Sequence, residues 1–330
     1  MIKNILIIRF RRVGDSILSL ALCHSLRLSF PQARIDYVLN SQIAPLCEGH
    51  PDVDRVIAFS PEEQGGWRYV RRVAEVVQSC HYDVIIDMQS KPKTLLFPLL
   101  SLKTKYRIGR RKTYTRWSFN KRVGRIIGES MLNRNDHFLE PLEAEAPIVY
   151  SHDFKLYPTD EERRHYKQYM LSKGIDMTRP IVLVAVTTRI LGKQWPEERM
   201  TCLLQRMLDT TDAQLVFNYA GEVETRQARD YYERLGRNGR VFIDVEARGL
   251  RELMALTSLC TFFFGNEGGP RHLSQALDIP SFAIFPVGVS IGEWLPMRGS
   301  RYNGIAGDDQ VLTVDAVWSG LQPMLADYVK

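Results

Sequence analysis

A chain of 330 residues, 45% hydrophobic and 25% charged, has the composition of a soluble globular protein and the length of two ordinary domains. Five scattered cysteines (Cys23, Cys47, Cys80, Cys202, Cys260) exclude a disulfide framework and a metal-spaced cysteine pair, and the best apolar run, Leu95 to Leu102, is too short to cross a bilayer and is broken by Pro98. The net charge of +6 hides a strong asymmetry: twelve Lys/Arg and no Asp or Glu lie between Lys91 and Arg125, so the rest of the chain sums to minus six.

In chain order, Ile5-Leu6-Ile7-Ile8 reads as a first strand. Val13-Gly14-Asp15-Ser16 then opens an amphipathic helix that ends at Pro31. The start shows no small-residue cleavage site, so it is expected to be a strand and not a signal peptide, with a cytoplasmic location. Arg34 to Leu39 and Asp54 to Phe59 read as strands, Trp67 to Val77 as a helix and Tyr82 to Asp87 as a buried fourth strand. Strands separated by helices at this interval predict βαβ units with a parallel sheet. The basic segment that follows, with Tyr106, Tyr114, Trp117 and Phe119 among its cations, is expected to be a loop-rich excursion. Pro141 to Pro158 reads as the connection between domains.

The alternation then restarts. Ile181 to Val186 is apolar throughout, as suits a central parallel strand, and Pro196 to Leu208 is a helix with its proline near the first turn. Gln214–Asn218, Val241–Ile243, Leu259–Phe264 and Phe282–Phe285 read as strands, with helices at Glu222–Leu235 and Leu250–Thr257. The expected architecture is α/β in two domains, one over 1–155 and a second over 156–315. A final helix at 316–330 is expected to pack back on the first domain.

Gly265-Asn266-Glu267-Gly268-Gly269 sits between a strand and a helix start. Such a junction offers free backbone N–H groups and the positive end of a helix dipole to an anion. Thr187, Thr188 and Lys193 follow the central strand of the second half and suit a diphosphate, although a capped turn with a surface lysine explains them too. Asp15 reads equally as a helix N-cap or as a general base at the carboxyl edge of the first strand. Glu222 and Glu224 open a helix, where acids are favoured in any protein, and His272 in a first helical turn fits a structural role. The first loop holds only Gly14, which speaks against a nicotinamide enzyme. No residue cluster implies a metal. The cationic segment fits RNA, or an acidic acceptor at a membrane surface.

Taken in order, these stretches resemble glycosyltransferase family nine, the bacterial heptosyltransferases of the lipopolysaccharide inner core. The resemblance rests on Ile5 to Arg9 with Val13 to Ser16, Leu26 to Asp36, Tyr82 to Asp87, Thr187-Thr188 with Lys193 to Pro196, and Gly265 to Leu273. It implies a GT-B fold, two Rossmann-like domains whose parallel sheets face a central cleft. It also implies an inverting, metal-independent transfer from ADP-heptose to a core hydroxyl, with no cofactor beyond that nucleotide-sugar donor. Carried over by position, Asp15 is the base. Thr187, Thr188 and Lys193 hold the diphosphate, Glu224 (or Glu222) meets the ribose, and Glu267, Gly268 and Gly269 meet the sugar and phosphates. Arg12, Lys91, Lys93, Arg110, Arg111 and Lys112 are expected to grip an anionic lipopolysaccharide-core acceptor, with peripheral contact at the cytoplasmic face of the inner membrane. Two departures, Glu267 where the family usually has aspartate and the cation Arg271 beside it, leave another nucleotide-sugar open as donor. A non-catalytic nucleotide- or RNA-binding protein is the alternative.

Overall fold

The computed structural model describes residues 2–329, except for the side chain of Leu191. The chain divides into two compact units, Met1–Tyr157 and Pro158–Lys330.

The first unit contains strands β1 (Asn4–Ile8), β2 (Arg34–Asn40), β3 (Arg55–Phe59), β4 (Val84–Asp87), β5 (Tyr106–Arg110) and β6 (Lys121–Val123). All pair in parallel, in the order β3-β2-β1-β4-β5-β6. Helices α1 (Val13–Leu18), α2 (Leu20–Ser29), α3 (Gly66–Gln78), α4 (Leu96–Leu99) and α5 (Met131–Asp136) occupy the connections and the end of the unit. α3 shows how sequence sets packing: Tyr69, Val73, Val76 and Val77 fall on one face and are buried against Phe59 and Phe97. Each such side chain contributes about 1.5–3 kcal/mol on leaving water.

The basic segment is more regular than its composition suggests, since it supplies both β5 and β6. Tyr106, Ile108 and Val123 turn inward while most of their charged neighbours stay at the surface. Gly109 makes this possible, because a Cβ there would lie 2.2 Å from the ring of Phe119, which packs onto the strand. Short strands on an outer edge need only this much apolar content.

The second unit repeats the plan. It begins with α6 (Asp160–Ser172), whose Thr159–Glu162 capping box is a start signal present in the sequence. Then come β7 (Ile181–Ala185), α7 (Glu197–Thr210), β8 (Gln214–Phe217), α8 (Gly221–Arg234), β9 (Val241–Phe242), α9 (Leu250–Ser258) and β10 (Phe262–Asn266). α10 (Gly269–Ala276), β11 (Ser281–Phe285), α11 (Ile291–Trp294), β12 (Tyr302–Ala306) and α12 (Val314–Tyr328) complete it. The strand order is β12-β11-β10-β7-β8-β9, again all parallel. α12 has its core contacts within this unit: Val317, Trp318, Leu321 and Met324 share a core with Met207 of α7, Phe262 and Phe282.

In both units the first strand lies between a neighbour wound one way and a neighbour wound the other. β1 pairs with β2 and β4, and β7 with β8 and β10. Ligands in open α/β sheets bind at the carboxyl ends of the strands beside such a switch point.

Candidate functional site

At the switch point of the first unit, α1 begins two residues before Asp15. Its N-cap is Arg12, whose side chain makes no capping bond, so the N-cap reading of Asp15 gives way to another arrangement. The Asp15 carboxylate is buried, and Arg9 donates to its Oδ1 over 2.7 Å; Nε of Arg11 stands 3.9 Å from the same oxygen. Both arginine contacts fall on Oδ1, and among the described residues none is made to Oδ2. Arg9 also donates to the carbonyl of Met88 over 3.0 Å, which ties the end of β1 to the loop after β4. Burial pushes its guanidinium below the usual value, and Asp15 acts in the opposite sense.

That loop is pinned by Asp87. Its fully buried carboxylate accepts from the backbone N–H groups of Gln89 (3.0 Å) and Ser90 (2.8 Å) and from the Thr94 hydroxyl (2.6 Å). Burial raises its pKa to about 6, with the hydrogen bonds and Lys112 acting the other way. The turn forces Ser90 to a φ of 48°, a region that disfavours side chains, and the Ser90 carbonyl accepts from both Lys112 Nζ (2.7 Å) and the Tyr114 hydroxyl (3.1 Å). Asp87, inside a motif stretch but given no role from sequence, thus organises the floor of the site. A carboxylate ending an apolar strand was the available signal.

The six cations expected at an acceptor divide into two groups. Arg12, Lys91, Lys93 and Arg111 are exposed. Lys112 is engaged with Ser90. Arg110 donates to the carbonyls of Gly124 and Arg134 (both 2.6 Å) over the ring of Phe138, and burial takes its pKa down to about 10. These two hold the β5–β6 region together, a role that composition could not separate from ligand binding.

At the second switch point, Asn266 joins the loops after β7 and β10. Its amide donates to the carbonyls of Ala185 (3.0 Å) and Val186 (3.1 Å) and accepts from the Trp195 backbone (2.9 Å). Gly265 lets the strands meet, since a Cβ would lie 2.5 Å from the Ala185 carbonyl oxygen and φ is 140°. The Thr187 hydroxyl donates to Glu224 (2.8 Å), which also accepts from the Ala220 N–H (3.1 Å); Thr188 donates to the Ile190 carbonyl (2.7 Å). Both threonine protons are therefore directed to partners within the chain, one on α8 and one in the loop after β7. Lys193 is exposed, and among the described residues its ammonium has no ion-pair partner.

Glu267 reaches forward one helical turn. Its two oxygens accept from Arg271 Nε (2.8 Å) and a terminal guanidinium nitrogen (3.1 Å), with His272 Nε2 at 3.3 Å. Burial alone would raise this pKa; the charges of Arg271 and His272 hold it at about 2. Arg271 is fully buried and also donates to Gln275 (2.9 Å) and to the Trp294 carbonyl (2.6 Å), strapping α10 to α11. The two departures noted in the sequence are thus one feature: glutamate has the reach to chelate an arginine four residues on. In this structure the Glu267 carboxylate expected at the sugar is held in an internal pair.

Residues 70–296 match the model of glycosyltransferase family 9 (heptosyltransferase), more than half of the chain. The chain belongs to glycosyltransferase family 9. It is a glycosyltransferase, 20% identical over 298 residues to lipopolysaccharide heptosyltransferase 1 of Campylobacter coli, covering 86% of this chain and 83% of that one. The fold matches the family 9 glycosyltransferase of Veillonella parvula DSM 2008 with a TM-score of 0.84 at 17% identity, over 98% of this chain and 97% of that one. It also matches the Escherichia coli heptosyltransferase WaaC with ADP, with a TM-score of 0.72 at 19% identity over 99% of each. The architecture of this family 9 member is accordingly GT-B, two Rossmann-like halves.

Proposed function

We propose that this family 9 glycosyltransferase moves heptose from ADP-heptose to a hydroxyl of the lipopolysaccharide inner core, with inversion at the anomeric carbon. The observation that carries the reading is Asp15: a buried carboxylate at the switch point with Arg9 on one oxygen and the other left out of the pair. The acceptor oxygen attacks the anomeric carbon, its proton passes to Asp15, and the bond to the diphosphate breaks as ADP departs with the electron pair. Arg9 and the Met88 carbonyl hold the carboxylate in one orientation, which lowers the cost of aligning it.

The donor reading assigns the diphosphate to Lys193, Thr188 and the N-terminus of α10, whose N-cap Gly268 has no side-chain partner. These supply charge and N–H donors where the leaving group gains charge, so the reading gives this task to the chain itself and not to a divalent cation. A Cβ on Gly268 would meet only Pro270, at 3.7 Å, so the fold does not demand glycine there and its bareness leaves room for a ligand. Glu224, with Thr187, faces the ribose in this reading, and Glu267 shapes the loop. Arg12, Lys91, Lys93 and Arg111 hold the anionic acceptor, which reaches the enzyme at the cytoplasmic face of a membrane.

Incubation with ADP-heptose and a heptose-deficient core acceptor tests this directly. ADP release together with a new glycosidic linkage of inverted configuration, read by NMR, is the expected result. Transfer from another nucleotide-sugar in preference would remove the donor assignment, and wild-type turnover by Asp15→Asn would remove the base.

A further inference from the structure

The segment between β5 and β6 displays apolar side chains that a sugar-phosphate ligand does not match. Residues 113–115 form a 3-10 turn that runs on to Phe119. Its inner side is fixed: Thr115 and Ser118 are buried, and Phe119 sits on the bare backbone of Gly109. Tyr114 and Trp117, three residues apart, remain on the outer side, and Trp117 is 79% exposed. Beyond β6, Ile126 is 52% and Ile127 90% exposed. The backbone bond from Arg111 to the Val123 carbonyl (2.8 Å) joins the starts of these two stretches at the same end of the sheet.

Arg111, Arg116, Lys121 and Arg122 interleave with these residues at the surface, and no acid occurs from Lys91 to Gly128. A surface that holds a tryptophan, a tyrosine and two isoleucines in water among cations matches a layered partner: anionic outside, apolar a few ångströms in. Aromatic rings of this kind prefer the headgroup level, and cations near an anionic leaflet add to the attraction. Single-stranded RNA would use the rings and the charges, but the two isoleucines offer nothing on which bases stack.

We propose that the β5–β6 crossover and the residues after β6 form a docking surface for an anionic lipid bilayer, with Trp117 and Ile127 entering the interface. The surface adjoins the acceptor half of the proposed site, because Lys112 and Tyr114 both bond the Ser90 carbonyl on the loop held by Asp87. The proposal sharpens the membrane contact in the transferase reading. It is measured without either substrate, so the two fail separately.

The test is co-sedimentation of the full chain with extruded vesicles of phosphatidylglycerol and phosphatidylethanolamine, against pure phosphatidylcholine, at low and high salt. Binding to the anionic vesicles alone, weakened by salt, is expected, with a blue shift of tryptophan emission. Trp117→Ser with Ile127→Ser should lower partitioning roughly tenfold and abolish the shift while ADP affinity is unchanged. Failure of the wild type to bind anionic vesicles, or equal binding by the double variant, would overturn the proposal. So would competition by RNA that strips the protein from vesicles and is itself lost in the double variant.

Discussion

Each unit places an arginine–carboxylate pair at its switch point, and the two pairs are built differently. Arg9 reaches Asp15 through one nitrogen and one oxygen, and its other arm is on a backbone carbonyl. Arg271 grips both oxygens of Glu267 and ties the pair to Trp294 and Gln275. A carboxylate with an oxygen outside its pair can still accept a proton from a substrate; a chelated one is part of the framework. An arginine and a carboxylate thus meet in both halves, and the proposed base is the carboxylate that keeps an oxygen outside its pair.

The contrast would be broken most directly at Asp15. Asp15→Asn keeps the shape and an acceptor for Arg9, so turnover of the folded enzyme should fall about 10²–10⁴-fold, as loss of a general base implies. A large stability loss with normal turnover would place Asp15 on the architectural side. The converse applies to Arg271→Met, which leaves the buried carboxylate with His272 alone beside it and should cost about 3–5 kcal/mol in denaturant unfolding. The double change Glu267→Met with Arg271→Met should recover part of that loss.

Acidity separates the pairs further. Because the folded-state pKa of Glu267 lies at about 2, below its ordinary 4.5, its stabilising contribution is present above the ordinary value and is lost as pH falls toward 2. Glu267→Gln should thus be less stable than wild type by a constant margin above roughly pH 5, with the margin shrinking at lower pH. A margin that already shrinks between neutrality and that point would contradict the pairing. A smaller effect is expected at Lys193→Met, which should raise donor KM by about 10–100-fold through loss of one charge-assisted contact and leave Tm unchanged.

The outline of this molecule was legible where strands are buried on both faces. Ile5 to Ile8 and Ile181 to Val186 announce central strands by unbroken apolar runs, and their order with the intervening helices leads to two Rossmann-like halves. β5 and β6 were hidden because outer strands need only Tyr106, Ile108 and Val123 inward, and cations fill the remaining positions. Within the site, Asp15 was visible as a carboxylate but its partner was not, since Arg9 lies six residues away across a strand-to-helix turn. The four-residue spacing of Glu267 and Arg271 was present in the sequence as an ion-pair signal. It was obscured by the glycine turn between them, which does not look helical until Gly269. Composition also could not show that Arg110 and Lys112 are engaged with carbonyls while Arg111 is exposed, because that depends on where neighbouring chain segments end.

Asn266 has a practical consequence for anyone exchanging parts between family members. One amide fastens the ends of two strands and the start of the Trp195 turn, so residues 185–195 and 265–267 form a single transplantable piece. A chimera that imports either stretch alone would carry a loop cut for a different staple.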